Sequence, residues 1–256
     1  MKIVLDCENL HTTLNSISNI YGASRNDISS YLKGFNLEQY YLEKELDKKE
    51  EIKNTLIRLF SNEFRELETT PDLIYWFHGT RVLKEEKFKE GILPLGLAIG
   101  KIWKTLFKIF SDSPHKEKLS DLKTKGITDF HYQTRLPESS LWGPYARLVK
   151  EAAFQNEELW SHDYLKIPEI IEDICKSYSI EYGESIIEDV KNALVACIVK
   201  FRSINNVNKW QVYTALFYLY HELNNFPLIF GCDTSYDAKN EVIPKSDIVK
   251  IEFIVD

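Results

Sequence analysis

The sequence contains few cysteines and no histidines at metal-ligand spacing, and these absences exclude several classes of protein. The 256 residues contain four cysteines, Cys7, Cys175, Cys197 and Cys232, and no C-x-x-C pair. Four such scattered residues cannot build a disulfide framework, so we expect reduced thiols in a cytoplasmic protein. The six histidines have no metal-ligand spacing, and we therefore expect no metal site.

Long apolar runs and common nucleotide-binding motifs are also missing. The longest apolar stretch, residues 91–110, is interrupted by Lys101, Lys104 and Lys108, whereas a membrane span needs about 20 uncharged residues. The first residues lack an apolar segment followed by a small-residue cleavage site, so we expect neither a secretory signal nor a membrane partner. G-x-G-x-x-G, P-loop, H-E-x-x-H and G-x-S-x-G motifs do not occur, which removes the signatures of Rossmann, P-loop, zincin and α/β-hydrolase proteins.

Apolar and acidic residues are plentiful. Hydrophobic residues make up 44% of the chain, which is typical of a globular protein and excludes intrinsic disorder. The net charge of −7 disfavours non-specific coating of nucleic acid. The charge is uneven, because residues 157–191 hold ten acids and three bases, whereas residues 101–126 hold seven lysines and three acids, a balance of +4. A local basic patch is therefore still compatible with the composition.

Residues 1–70 are predicted to form a helical N-terminal region after a short strand at residues 2–5. Residues 14–32 have the outline of a helix-turn-helix, in which Gly22 forms the turn and Ser24 caps the second helix. Arg25 is the cation that would reach a phosphate. Two helices joined by a glycine turn also occur in ordinary helical domains, so DNA binding and plain packing both stay open.

Residues 71–256 are predicted to form an α+β domain that starts after a polar, proline-containing break. Helix 99–110 is basic and amphipathic, and we expect it to pack its apolar stripe on the protein's own core rather than on a membrane or an acidic partner. The polar segment 111–126 is rich in lysine. Period and composition predict strands at residues 73–77, 127–132, 226–231, 241–243 and 248–255, and helices at residues 82–90, 99–110, 143–154, 167–178, 184–201 and 209–223.

Two short phrases in this domain contain residues suited to chemistry. His78-Gly79-Thr80 follows the first predicted strand, where an imidazole and an unshielded glycine backbone can both meet a ligand. Glu241 opens a later predicted strand, and a carboxylate at a sheet edge can face a cleft. By itself, a His-Gly pair at a strand end is more often a simple turn, and Glu241 is equally compatible with an exposed strand start.

Together, the phrases resemble the His-Tyr-Glu branch of the ADP-ribosyltransferase superfamily, which includes diphtheria toxin and the poly(ADP-ribose) polymerases. The similar segments are YWFHGT at residues 75–80, FKEGILPLG at residues 88–96 and NEVIPKSDIVKIEFIV at residues 240–255. The resemblance covers about residues 73–256. It implies a split β-sheet core with inserted helices, an N-terminal helical extension, and NAD+ as co-substrate without a metal.

The resemblance also implies roles for individual residues. Glu241 would stabilise the oxocarbenium-like ribose as the nicotinamide leaves. Tyr145, in Gly143-Pro144-Tyr145, would stack on the nicotinamide, with Tyr132 as the alternative. The family's middle serine position is occupied here by Glu151. The remaining NAD+ contacts would be a ribose hydroxyl for His78, the carboxamide for the Gly79 backbone, a ribose or the pyrophosphate for Thr80 or Arg81, and a second aromatic contact for Phe154.

The implied activity is mono-ADP-ribosylation by a toxin or phage-defence effector, with an antitoxin or chaperone as a further partner. Lys239 stands where the arginine-modifying branch has a second acid, which disfavours arginine as acceptor. Lys101, Lys104, Lys116 and Lys118 favour a nucleic-acid acceptor, RNA or DNA, over a protein. The alternatives are an NAD glycohydrolase and a helix-turn-helix regulator or interaction protein with an inactive transferase-like fold. This chain does not match the several basic catalytic residues of the related tRNA 2′-phosphotransferase, which disfavours that activity.

Overall fold

The structure is a computed structural model that describes residues 2–37, 39–40, 52–159, 161–205 and 207–254. It is a mixed fold of helices and one mostly antiparallel open sheet, as the α+β expectation requires. The strands are β1 (Val4–Leu5), β2 (Leu73–Val82), β3 (Tyr145–Arg147), β4 (Val195–Ser203), β5 (Ser235–Asp237) and β6 (Ile248–Phe253). The described helices include α1 (Leu10–Tyr21), α2 (Arg25–Gly34), α3 (Ile52–Phe64), α4 (Leu95–Ile109), α5 (His115–Lys125), α6 (Phe130–Arg135), α7 (Glu169–Tyr182), α8 (Ile187–Ala193) and α9 (Lys209–Leu223).

The sheet has the strand order β5-β3-β2-β4-β6, and β1 pairs with β2 outside this path. β1 runs parallel to β2. β2 runs antiparallel to β3, with Phe77 opposite Arg147, and β4 runs antiparallel to β6, with Cys197 opposite Phe253. Among the described helices, none combines the length and the apolar character needed to cross a membrane.

The chain forms two compact units, and each is assembled from three segments. The first unit consists of Met1–Phe77, Arg147–Ser161 and Arg202–Tyr236, and the second of His78–Ala146, His162–Phe201 and Asp237–Asp256. This division does not follow the boundary expected at residue 70. The N-terminal helices share the first unit with α9, because α1, α2 and α3 all pack against that helix.

The N-terminal helix pair has the expected form. Gly22 ends α1 in the left-handed conformation at φ 65°, and the Ser24 side chain accepts a hydrogen bond from the Asp27 amide at the start of α2. Helix α9 is buried over most of its surface, so it forms the centre on which this pair packs. The Arg25 guanidinium donates to Asn15 Oδ1 at 3.0 Å, and the cation expected to meet a phosphate is therefore engaged with the preceding helix.

The second unit has a hydrophobic core among α4, α5, α7 and α8. Helix α4 contributes Trp103 and Leu106 to this core, and Phe110 follows directly. The expectation that this basic amphipathic helix packs its apolar stripe inside the protein is thus confirmed. Most of the Lys-rich segment forms α5, in which Leu119 and Leu122 are buried.

Six predicted elements are wrong in whole or in part, and local interactions explain two of them. Residues 82–90 are not helical: β2 continues to Val82, and Glu86 Oε1 then accepts from the amides of Lys87 and Phe88 in a turn. Residues 127–132 are not a strand, because the Asp129 side chain accepts from two amides at the start of α6.

The helix predicted over residues 143–154 is instead strand β3 followed by a short 3-10 helix at Glu151–Phe154, and the strand predicted at residues 241–243 is reduced to a single bridge at Ile243. The last two errors lie in the C-terminal half of the chain. The helix predicted over residues 184–201 ends at Ala193, and the apolar run that follows is the buried strand β4. Residues 226–231 are irregular rather than a strand, since Pro227 has no amide hydrogen and Gly231 has a φ of 100°. The predicted final strand is confirmed as β6, although its expected last residue, Val255, lies outside the described residues.

Candidate functional site

His78 lies within the second unit, and its backbone belongs to β2 rather than to a turn after the strand. Its Nδ1–H donates to the carbonyl oxygen of Tyr145 at 2.7 Å. Burial lowers the pKa of His78, and the hydrogen bond to Tyr145 opposes this shift. The imidazole is therefore neutral at pH 7 and carries its hydrogen on Nδ1, which leaves Nε2 as an acceptor. Nε2 has no hydrogen-bond partner among the residues that the structure describes.

The segment that carries Glu241 lies against the residues that precede β3. The Ala238 amide donates to the Pro144 carbonyl at 3.0 Å, and the Asn240 amide donates to the Gly143 carbonyl at 2.9 Å. Both acceptors immediately precede Tyr145, whose own carbonyl accepts from His78. The backbone thus brings the His78, Tyr145 and Glu241 segments together within one unit.

Glu241 itself follows a tight turn and does not open a strand. Lys239 and Asn240 have φ values of 50° and 70°, and the Glu241 amide donates to the Ala238 carbonyl at 3.0 Å. The Glu241 side chain is exposed. Within the described ranges its carboxylate makes no ion pair, so it is available to a ligand.

Gly91 permits close backbone contact between the FKEGILPLG segment, residues 88–96, and the segment that carries Glu241. Ile92 and Ile243 exchange two backbone hydrogen bonds, at 2.9 and 3.0 Å. A Cβ on Gly91 would lie 2.1 Å from the Ile243 carbonyl oxygen, and the φ of Gly91 is 81°. Only glycine permits this approach. The two phrases therefore pair through their backbones, and this pairing fixes the C-terminal end of the Glu241 loop, residues 238–243.

Tyr145 is available as an aromatic surface, and its alternative is not. Tyr145 is 38% exposed at the start of β3, whereas Tyr132 is only 8% exposed and belongs to the core of the second unit. Partial burial raises the pKa of Tyr145, and the charges of Asp237 and Glu169 add to the shift. Tyr132 therefore cannot present a ring face for stacking. Phe154 is exposed and belongs to the first unit.

Gly79 is a glycine that the fold does not require. A Cβ placed there would lie 3.4 Å from Leu165 Cδ2 and 3.7 Å from Tyr164 Cβ, which are ordinary contacts, and the backbone is not in the left-handed region. The absence of a side chain has no conformational or packing explanation. A ligand that contacts the Gly79 backbone beside Leu165 and Tyr164 would explain it.

Arg81 is a structural residue, which corrects the expectation that it reaches the pyrophosphate. Its guanidinium donates to three carbonyl oxygens, those of Leu165 at 2.7 Å, Lys191 at 3.0 Å and Leu194 at 2.8 Å. The charge is thereby committed to joining β2 to the segments around α8. Thr80 lies beside Arg81 in β2 and is half-buried. Its contact with a ribose or the pyrophosphate stays a prediction.

A polar network lies near Tyr145, and no sequence motif predicts it. Tyr164 Oη donates to Glu169 Oε2 at 2.8 Å, and Arg135 donates to Glu169 Oε1 at 3.0 Å and to Asp173 Oδ2 at 2.6 Å. Burial, the largest cause, and the Glu169 charge raise the pKa of Tyr164. These residues come from three separate segments and share no motif, so only the folded chain could reveal the network.

The basic segment loses its charge excess in the structure. Four of its lysines pair with acids from other segments, namely Lys101 with Glu90, Lys108 with Glu85, Lys118 with Glu184 and Lys125 with Glu181. These four acids offset the +4 counted along the sequence. Of the four lysines expected to hold an acceptor, Lys104 and Lys116 make no ion pair with any described residue, whereas Lys101 and Lys118 are engaged.

The chain matches no family model, no curated protein and no solved structure in the comparisons with known proteins. In the ranges that the structure describes, no group of three or more His, Cys, Asp or Glu residues is arranged to hold a metal ion. The site must therefore be interpreted from the geometry of the second unit alone.

Proposed function

We propose that this protein is an NAD+-dependent mono-ADP-ribosyltransferase that acts as a toxin or anti-phage effector. One observation carries the proposal: the His78 imidazole binds the Tyr145 carbonyl, and the Glu241 loop binds the two residues before Tyr145. These are the three residue types that cleavage of the nicotinamide-ribose bond needs, a hydroxyl acceptor, an aromatic face and a carboxylate. The exposed Tyr145 ring and the unexplained Gly79 support the same proposal.

The chemistry divides among these residues. The neutral His78 accepts a ribose hydroxyl at Nε2, the Gly79 backbone meets the carboxamide, and Tyr145 stacks on the nicotinamide ring. The bond between ribose C1′ and the nicotinamide nitrogen breaks, and its electron pair leaves with nicotinamide. Glu241 stabilises the positive charge that develops on the ribose. A nucleophilic atom of the acceptor then bonds to C1′, and its proton is released to solvent water.

The acceptor is a macromolecule in this proposal, and nucleic acid no longer has an electrostatic advantage over protein. The lysines that favoured RNA or DNA pair largely with Glu85, Glu90, Glu181 and Glu184. An NAD glycohydrolase, in which water is the acceptor, uses the same residues and is the second candidate. Incubation with labelled NAD+ and separated cell RNA, DNA and protein distinguishes these cases, since a glycohydrolase releases only free ADP-ribose.

Glu241→Gln tests the catalytic assignment. Nicotinamide release should fall by about 100-fold or more, because a carboxamide cannot offset a developing positive charge. The melting temperature should not change, since the side chain is exposed and makes no ion pair within the described ranges. Glu117→Gln, at an exposed position of α5, is the matched control and should keep full activity.

Two outcomes would contradict the proposal at different levels. Unchanged turnover in Glu241→Gln would remove Glu241 from the mechanism but would leave the activity in place. A wild-type protein that neither binds NAD+ nor releases nicotinamide, but binds duplex DNA, would instead support the helix-turn-helix regulator.

A further inference from the structure

Asp237 ends strand β5 and lies beside Tyr145 in the sheet. Strands β5 and β3 are neighbours, and the Ala238 amide donates to the Pro144 carbonyl at 3.0 Å. The two strands run in opposite directions, so the next pair along them is Asp237 opposite Tyr145. Side chains that face each other in this way share one face of the sheet, and their Cβ atoms are about 5 Å apart.

Tyr145 separates Asp237 from Gly79. Phe77 lies opposite Arg147 in the antiparallel pair of β2 and β3, so Gly79 lies opposite Tyr145. Neighbouring strands are about 4.8 Å apart, which puts Asp237 about 10 Å from Gly79 on the far side of the tyrosine. In the proposed reaction the nicotinamide covers Tyr145 with its carboxamide at Gly79. The carboxamide end therefore points away from Asp237.

The Asp237 carboxylate is held by the backbone but is not neutralised. Its Oδ1 accepts from the Lys239 amide at 2.8 Å, and it makes no ion pair with any residue that the structure describes. The side chain is half-buried, so an ion pair formed there would be partly shielded from water. Asp237 and Glu241 outnumber Lys239, the one cation of segment 237–241, which leaves this segment with a balance of −1.

The charges around Tyr145 are also mostly negative. Burial raises the pKa of Tyr145, and the charges of Asp237 and Glu169 raise it further, whereas Arg135 opposes the shift. Arg135 is shared between two acids, because it donates to Glu169 at 3.0 Å and to Asp173 at 2.6 Å. A polyanion that approached Tyr145 would therefore be repelled, whereas a cationic group would be attracted.

We propose that Asp237 selects a protein acceptor by binding a lysine or arginine side chain beside Tyr145. The inference rests on the proposed transfer of ADP-ribose and names the class of its acceptor. Asp237 only holds the acceptor. The bond between C1′ and nicotinamide breaks and its electron pair leaves with nicotinamide, a nucleophilic atom of the protein bonds to C1′, and its proton goes to water. An RNA or DNA acceptor would instead bring phosphates next to Asp237 and Glu241.

Asp237→Asn tests this role, because it removes the charge but keeps an oxygen that can accept from the Lys239 amide. With labelled NAD+ and separated cell protein, RNA and DNA, the wild type should label the protein fraction. In Asp237→Asn the ratio of ADP-ribose transferred to nicotinamide released should fall by about tenfold or more, and Asp237→Glu should retain most of it. Asp112→Asn, at an exposed position after α4, is the matched control and should keep the wild-type ratio.

Chemical modification of the protein fraction identifies the cation that Asp237 binds. Acetylation removes the charge of lysine side chains, and phenylglyoxal removes the charge of arginine side chains. One of the two treatments should lower labelling by the wild type by about tenfold or more. Full labelling after both treatments would overturn the proposal.

Other results would overturn the role of Asp237 and differ in what they leave in place. Label in RNA or DNA rather than in protein, or an unchanged ratio in Asp237→Asn, would contradict the acceptor assignment but leave ADP-ribosyl transfer standing. Nicotinamide release without label in any fraction would indicate a glycohydrolase. A wild-type protein that releases no nicotinamide would refute the proposed function itself.

Discussion

Replacing Gly79 by alanine separates the demands of folding from those of substrate binding. The added methyl group would make only ordinary contacts, with Leu165 at 3.4 Å and Tyr164 at 3.7 Å. Alanine in a strand loses less conformational entropy on folding than glycine, so the free energy of unfolding should rise by about 0.5–1 kcal/mol. For a chain of this size that corresponds to a melting temperature higher by roughly 1–4 °C.

The same methyl group should impair catalysis. If the Gly79 backbone meets the nicotinamide carboxamide, a Cβ there displaces the substrate by about 1 Å, and a misplacement of that size lowers turnover by roughly 100-fold. Gly100→Ala provides the matched control, because Gly100 lies in α4 and a Cβ there would have no neighbour within 4 Å. That variant should gain about 1 kcal/mol of stability and keep full activity.

Thermal unfolding and nicotinamide release, measured on both variants, distinguish a packing role of Gly79 from a role in substrate binding. A lower melting temperature for Gly79→Ala would show that the glycine is needed for packing and that its functional interpretation is unfounded. An unchanged or raised melting temperature with full turnover would show that no substrate atom approaches this backbone. A ligand contact at the Gly79 backbone requires that Gly79→Ala retains stability and loses turnover, while Gly100→Ala loses neither.

Three further perturbations test the surroundings of the site. Gly91→Ala should cost roughly 2–5 kcal/mol and release the Glu241 loop, because the new Cβ would lie 2.1 Å from a carbonyl oxygen at a φ of 81°; hydrogen exchange that stays slow at residues 240–243 would contradict this. His78 has a lowered pKa when folded, so its contribution to stability should be present above about pH 6.5 and be lost as the pH falls below it; an NMR titration midpoint above that value would reverse the sign. Replacing Lys101 and Lys118 by glutamine should not reduce transfer to RNA or DNA, because both lysines are ion-paired, and a marked loss would restore the basic segment as the acceptor site.

Long periodic helices with clear caps were predictable from sequence. Helices α1, α2, α7 and α9 form where the apolar period placed them, and Ser24 caps as expected. Short apolar runs were not predictable in the same way. Residues 195–201 (VACIVKF) fit the helical period that precedes them, yet they form β4, because six consecutive side chains there are buried. An isolated run of this length satisfies both patterns until its tertiary partners are known.

The candidate site likewise contains residues that the sequence predicted and residues that it did not. His78, Glu241 and Tyr145 stood in recognisable phrases, and the fold brings their backbones together. The network of Tyr164, Glu169 and Arg135 had no such phrase, because it arises from contacts between distant segments. Arg81 shows the converse error: it stood inside a recognisable phrase, but three carbonyl groups occupy its guanidinium.

The net charge around a segment was the property that the sequence predicted least well. A window sums residues that are neighbours along the chain, whereas the potential felt by a ligand depends on neighbours in space. The excess over residues 101–126 disappears because acids from outside the window pair with its lysines.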